Sequence, residues 1–201
     1  MKHIKCEGGG NIPIPESYAD CIKLIISDYF RISGRIDSIF KIFKASIYNH
    51  SVWILILFRL NQHHGCFSPI LVRLYLSVCK KYNIFLPPST KVGYGFYIGH
   101  GFGLVINGTA IIGNNVNLSQ FVTIGSNCDK AALIGDNVYI GPSVCVVEYL
   151  RIGNCANIGA GAVVVKDVPD NATVVGVPAR VVKDNNRKTA NKNPYPYIPS
   201  E

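Results

Sequence analysis

Aliphatic residues recur at every sixth position through the second half of the chain. Two phase breaks divide the series, whose members are Val92, Ile98 and Leu104, then Ile106, Ile112, Leu118 and Ile124, then Ile134, Ile140, Val146, Ile152, Ile158 and Val164. Glycine directly follows most of them, and another apolar or small residue usually stands two positions before the next member. Residues two apart on a strand point to the same face, so each six-residue unit predicts a short strand that ends at a corner.

Three strands of this kind close a triangle that paired aliphatic side chains can fill, whereas a fourth side would leave a void. Stacked coils then pair edge to edge at about 4.8 Å. The repeat therefore predicts a parallel β-helix of about four turns over residues 87–183. Ten residues instead of six separate Ile124 from Ile134, which predicts an extruded loop with the sequence "SNCDKAA".

The preceding region, residues 17–86, has the three- and four-residue spacing of apolar positions that is typical of amphipathic helices. Ser17 is suited to cap the first helix, and the Pro87–Pro88 pair ends the helical region because proline cannot continue a helix. Residues 1–16 and the polar tail, residues 184–201, are expected to be flexible.

Composition narrows the choice of partners. The chain of 201 residues is 48% hydrophobic and 16% charged, which indicates a globular protein, and its net charge of +8 favours anionic partners. No helix-turn-helix, zinc-finger or aromatic-basic pattern indicates nucleic acid. Seven cysteines without a CxxC pair are typical of free thiols in a reducing cytoplasm. We therefore expect a cytoplasmic protein. The longest apolar run, "VWILILF", is too short to span a bilayer, and contact with the inner membrane surface is the alternative.

Two stretches, "VGYGFYIGHGFGLVINGTAIIGNNVNLSQFVTIG" and "VPDNATVVGVPARVV", resemble the hexapeptide-repeat acyltransferases, and within them the serine acetyltransferase branch. The resemblance covers about residues 20–183 and is most specific over 92–182. It implies a left-handed β-helix after an α-helical region, and assembly into trimers or pairs of trimers. It also implies acetyl-CoA as cosubstrate, lying in the groove between neighbouring β-helices.

By this resemblance His100 corresponds to the catalytic base. Imidazole titrates near working pH and can take the proton of an acceptor hydroxyl as that hydroxyl attacks a thioester. The residues expected to line the acetyl-CoA groove are three at corners, Gly141, Gly159 and Ala160, and three cations for the phosphates, Lys166, Arg180 and Lys183. A solvated basic face is the alternative for these cations.

The resemblance weakens on the acceptor side. Phe85 stands where the serine enzymes have an aspartate that orients the base, and Gly99 replaces an acidic residue directly before it. The extruded loop offers only Asp129 and Lys130, where the family has a basic residue and a histidine. Since free serine carries two charges that a site must pair, these losses favour an uncharged sugar hydroxyl of a surface polysaccharide or its precursor.

Serine O-acetylation and a β-helix scaffold without catalysis remain alternatives. Tyr94 and Tyr97 are expected to face the acceptor, and Phe96 and Phe102 to lie in the core.

The remaining candidates are weaker. "HHGC" at 63–66 lacks a second pair of ligands at zinc spacing, so no metal is expected. Charges on the first helix (Asp28, Arg31 and Arg35) are expected to be solvated, and basic residues further on (Arg59, Arg73, Lys80 and Lys81) to surround an apolar body that packs at a trimer axis or on acidic lipid. The serine enzymes bind a cysteine synthase through a C-terminal isoleucine. Here Ile198 is three residues from the end, so that complex is not expected.

Overall fold

Four helices precede the repeat in the computed structural model, which describes residues 1–5, 10–184 and 190–196. They are α1 (Tyr18–Ser33), α2 (Ile39–Tyr48), α3 (His50–Asn61) and α4 (Ser68–Tyr82). Ser17 caps α1 as predicted, because its Oγ accepts a hydrogen bond of 3.2 Å from the Asp20 amide. Most of α3 is buried, since the other three helices all pack against it.

Short parallel strands form the three faces of a left-handed β-helix of about four turns, as the repeat predicts. Sheet I consists of β3 (Lys91–Val92), β6 (Ile111–Ile112), β9 (Leu133–Ile134) and β12 (Arg151–Ile152). Sheet II consists of β4 (Tyr97–Ile98), β7 (Asn117–Leu118), β10 (Tyr139–Ile140), β13 (Asn157–Ile158) and β15 (Thr173–Val175). Sheet III consists of β5 (Val105–Ile106), β8 (Thr123–Gly125), β11 (Cys145–Val147) and β14 (Val163–Val164). The chain visits sheets I, II and III in turn, and β16 (Arg180–Lys183) pairs antiparallel with β15.

The second residue of each of these parallel strands points inward and builds the core. In sheet II, Ile98, Leu118, Ile140 and Ile158 stack with no more than 1% of their surface exposed. Burying one such side chain contributes about 1.5–3 kcal/mol, so the six-residue period is also the period of the stabilising contacts. The extruded loop is confirmed, since residues 126–132 lie between β8 and β9.

One corner is wider than the corresponding corners below it. Residues 99–104 join β4 to β5, whereas residues 119–122 suffice between β7 and β8. Phe96 is fully buried as predicted, but the prediction that Phe102 lies in the core is wrong, because its side chain is 38% exposed. The two extra residues displace Phe102 from the inward phase, and its ring packs against Tyr82 and Phe121 instead.

Parts of both terminal segments, residues 1–16 and 184–201, for which the sequence predicts flexibility, pack against the β-helix. A hairpin of β1 (Lys2–Lys5) and β2 (Asn11–Ile14) buries Ile12 to 1% exposure. Residues 190–196 return along sheet II, where the Ala190 amide donates to Asn157 and the Asn191 side chain donates to the Asn115 carbonyl, each over 2.8 Å. Residues 6–9, 185–189 and 197–201, which include Ile198, lie outside the described residues.

Buried charges fasten the helices to the first coil, so the expectation of solvated charges is wrong for Asp28 and Arg31, and Arg59 lies in the interior instead of on the surface of an apolar body. Asp28, Arg31 and Arg59 are no more than 5% exposed, and both carboxylate oxygens of Asp28 accept from the Arg59 guanidinium at 2.7 and 3.0 Å. Arg31 donates to the Gly95 carbonyl at 2.9 Å, and burial lowers its pKa to about 10 although Asp28 opposes this shift. Of the three charges expected on the first helix, only Arg35 is exposed, and it pairs with Asp37.

None of the helices in the described part of the chain has the length and hydrophobicity needed to cross a bilayer.

Candidate active site

His100 lies at the corner between sheets II and III of the first coil, and we call the stack of such corners the II/III edge. Its backbone is left-handed, with φ of 59°, and its ring is exposed. The neighbouring Gly99 amide donates to the Leu118 carbonyl over 2.7 Å, which ties the corner to the coil below. The histidine is therefore presented to the outside by a corner whose backbone is fixed.

The predicted acetyl-CoA corners lie on the same edge. Gly141 and Gly159 follow β10 and β13, and their amides bond to the next coil over 2.9 Å, as the Gly99 amide does. At about 4.8 Å per coil, Gly141 is two coils, or roughly 10 Å, from Gly99. A Cβ at Gly141 would lie 2.9 Å from the Ala160 nitrogen, so close stacking of these corners requires glycine there.

Three further predicted residues lie on the II/III edge. Ala160 is exposed beside Gly159. Arg180 is exposed and pairs with Val175, at the end of β15 that meets this edge. Tyr97 points outward from β4, and its ring lies 3.4 Å from the position of a Cβ built on Gly99. One edge of the molecule thus brings together the predicted base, the glycine corners and one predicted phosphate ligand.

Other predicted site residues lie elsewhere in the protomer. Tyr94 occupies a corner between sheets I and II, where its hydroxyl contacts His3 Nε2 at 3.1 Å and its ring stacks on Tyr195 with centroids 6.2 Å apart. Lys166 lies between sheets III and I, and Lys183 pairs with Thr173 at the far end of β16. The structure does not bring these three residues to His100.

The extruded loop lines a cavity of about 620 Å³ at the corners between sheets III and I, which we call the III/I edge. Its walls include Asp129 and Lys130 of the loop, Lys5 of the hairpin, and Lys91. The Lys130 ammonium lies 5.8 Å from the centre of the Tyr149 ring. The cavity is basic and partly aromatic, but it lies on a different edge from His100 of the same protomer.

No hydrogen bond to the His100 ring is formed by any residue within the described ranges. Phe85 stands at the position of the family's orienting acid and forms an isolated β-bridge with Val105. The residue is 60% exposed, and its side chain offers no hydrogen-bond acceptor. Sequence reasoning missed His50, which lies against this corner. A Cβ built on Gly101 would lie 3.3 Å from His50 Cδ2. The only sequence signal for His50 is its place after Asn49, at the start of a helix.

No group of three or more metal-ligating side chains close enough to hold an ion occurs among residues 1–5, 10–184 and 190–196. His63 of the "HHGC" stretch packs its ring edge-on against Tyr18, with ring centroids 4.8 Å apart.

Comparison with known proteins identifies the family. No protein-family model matches the sequence. A serine acetyltransferase of Bacillus pumilus is 43% identical over 105 residues, which are 50% of this chain and 48% of that protein. The solved serine acetyltransferase of Neisseria gonorrhoeae, in complex with serine, is 30% identical with a TM-score of 0.68, and the alignment covers 81% of this chain and 69% of that one. The chain belongs to the serine acetyltransferase family.

A serine acetyltransferase solved in complex with CoA is a further structural neighbour. It is 25% identical with a TM-score of 0.64, and the alignment covers 81% of this chain and 68% of that one. The chain spans about half the length of the curated serine acetyltransferases from bacilli that it matches.

Proposed function

We propose that the protein transfers the acetyl group of acetyl-CoA to the hydroxyl of a small acceptor. The observation that carries the proposal is the II/III edge, where an exposed histidine stands above glycine corners in a member of the serine acetyltransferase family. The existence of a family structure with CoA supports the cosubstrate. Gly141, Gly159 and Ala160 would line the pantetheine arm, and Arg180 would pair with a phosphate.

The reaction needs one base and no covalent enzyme intermediate. His100 takes the hydroxyl proton while the acceptor oxygen attacks the thioester carbonyl. A C–O bond forms, the C–S bond breaks, and the departing CoA thiolate takes the proton from His100. Because both substrates must lie in line beside the ring, the backbone bonds that fix the corner contribute to the rate.

A second copy of the chain would complete the site. Asp129, Lys130 and Lys166 lie on or next to the III/I edge, so they reach a His100 only if that edge of one protomer faces the II/III edge of its neighbour. A homotrimer with three such grooves satisfies this geometry, and a dimer of trimers would keep it. Tyr94 and Lys183 have no part in this assignment.

We propose L-serine as the first acceptor to test, because the relatives and neighbours described above are serine acetyltransferases. The residues alone favour a sugar over serine as the acceptor. We reverse this order because the relatives give no support for a sugar. A sugar hydroxyl is the second candidate, since Gly99 and Phe85 stand at two positions where the serine enzymes have acidic residues, and an uncharged acceptor needs no carboxylate to pair with an ammonium group.

Release of the CoA thiol by purified protein, with L-serine and with a panel of sugars, tests both candidates. We expect serine to give the fastest release, and a sugar that outperforms it would replace serine as the acceptor.

His100→Ala should lower kcat by roughly 10²–10⁴-fold because the general base is lost. His63→Ala is the matched control and should leave the rate unchanged. An unchanged rate in His100→Ala would contradict the proposed function and favour the scaffold.

A further inference from the structure

The amino end of α3 packs directly on the corner that carries His100. A Cβ built on Gly101 would lie 2.8 Å from Ser51 Oγ and 3.3 Å from His50 Cδ2, so no larger residue fits between the corner and the helix. The His50 ring thus lies against Gly101, the residue that directly follows His100. The contact is part of the folded chain and needs no second copy.

The His50 ring is held in place by its neighbours. It stacks on Tyr82 with ring centroids 4.4 Å apart and an angle of 12° between the planes. The Tyr82 carbonyl accepts a hydrogen bond of 3.0 Å from the amide of Gly103, which belongs to the same corner. Helix α4 therefore fixes both the corner and the ring of His50.

His50 Nε2 is buried and has no hydrogen-bond partner among the described residues. A buried polar atom without a partner costs free energy, so its position in a folded protein calls for an explanation. The His100 ring, as described above, also lacks a partner. A catalytic histidine needs its second ring nitrogen fixed, because that hydrogen bond sets the tautomer and the orientation of the ring.

We propose that His50 is a positioning residue that takes the place of the missing acid. In the complex with substrates, one ring N–H of His100 donates to His50 Nε2, directly or through one water. The other nitrogen of His100 is then unprotonated and faces the acceptor hydroxyl. His50 carries its own proton on Nδ1 in this arrangement. Catalytic hydrogen bonds of this kind are often long without substrates and tighten when substrates bind. The inference rests on the proposed function.

Two amide substitutions of His50 separate this role from packing. Glutamine places a polar atom near the position of Nε2, whereas asparagine places one near Nδ1, so His50→Gln should keep most of the activity. His50→Asn and His50→Phe should lower kcat by roughly 10- to 100-fold and change KM little, by analogy with the loss that follows when the hydrogen-bond partner of a metal-ligating histidine is removed. His63→Asn is the control and should leave kcat unchanged.

A readout that does not depend on turnover accompanies the kinetics. The ring nitrogen shifts of His100, measured by NMR in the presence of CoA, should report one neutral tautomer in the wild type and in His50→Gln. They should report a mixture in His50→Asn and His50→Phe.

Equal activity of the Gln and Asn variants, or full activity of His50→Phe, would overturn the assignment of His50, as would a His100 tautomer that is indifferent to residue 50. If the wild type transfers no acetyl group but its His100 tautomer still depends on His50, the pairing stands and the proposed function fails. Should the Phe variant not fold, the comparison of Gln with Asn still decides the question.

Discussion

At the scale of single residues, the Asp28–Arg59 pair joins the helices to the first coil. Besides the two bonds to Asp28, the Arg59 guanidinium donates to the carbonyls of Val92 and Gly93 at 2.9 and 2.5 Å. Asp28 Oδ1 accepts from the Phe96 amide at 2.8 Å. Val92, Gly93 and Phe96 all belong to the segment that leads to His100, which makes this pair a determinant of where the corner lies.

Removing one member of the pair should be costly. Arg59→Met leaves the Asp28 carboxylate buried without its counter-ion, and we expect the free energy of unfolding to fall by about 3–5 kcal/mol. Urea denaturation monitored by circular dichroism measures the change. Arg151→Met serves as the control, because Arg151 pairs with Asp170 at 3.7 Å on the surface, where an ion pair contributes about 0–1 kcal/mol. Equal effects of the two substitutions would contradict the role of the buried pair.

Residue-level prediction from the sequence succeeds where a repeat or a motif fixes the position, and fails where burial depends on distant partners. The surface position of His100 follows from the corner that the repeat defines. The burial of Asp28, Arg31 and Arg59 does not, because each needs a partner far along the chain that no local pattern indicates. His50 is hidden for the same reason, since its neighbours Tyr82 and Gly101 come from other elements.

At the scale of elements, the glycine after each inward aliphatic residue has a steric cause that differs from corner to corner. A Cβ at Gly113 would overlap the Gly135 carbonyl of the coil below and would lie 2.6 Å from an Asp136 carboxylate oxygen. At Gly125 the nearest atom would be 3.8 Å away, because the chain leaves the coil there to form the extruded loop. The same sequence signal thus marks one required and one dispensable glycine.

Alanine at these two positions tests the difference. Gly113→Ala should lower the free energy of unfolding by about 1–3 kcal/mol, since backbone atoms of a neighbouring coil must move. Gly125→Ala should leave the free energy of unfolding nearly unchanged. Thermal denaturation of both variants beside the wild type measures the effect, and a larger loss at Gly125 than at Gly113 would disprove the steric explanation.

The period of six predicts the coils because an inward position recurs once per strand and three strands make a turn. It does not predict the wide corner at residues 99–104, since Phe102 keeps the inward spacing although two extra residues move it outward. The repeat does not predict the β1–β2 hairpin either. Its stability depends on Ile12 and on the Gly10 amide, which donates to Asp136 over 3.1 Å, a contact between residues far apart in the sequence.

At the scale of the whole molecule, the proposed active site is divided between two edges, and this proposal predicts that the protein associates. Sheet III also leaves apolar side chains uncovered near the II/III edge, with Val105 at 45% and Phe121 at 51% exposure. Light scattering should give a mass of three times the 22.0 kDa chain, or six times if trimers pair. A monomer with full acetyltransferase activity would refute the shared site.

The ordered tail has a consequence for how the β-helix unfolds. In a solenoid each coil contacts only its neighbours, so end coils tend to fray independently. Residues 190–196 add contacts beyond those between neighbouring coils, because Asn191 donates to the carbonyls of Asn115 and Val138, while the Lys192 carbonyl accepts from Arg31 of α1. These contacts link the second and third coils to α1, and the solenoid therefore gains a cooperativity that nearest-neighbour stacking alone would not give it.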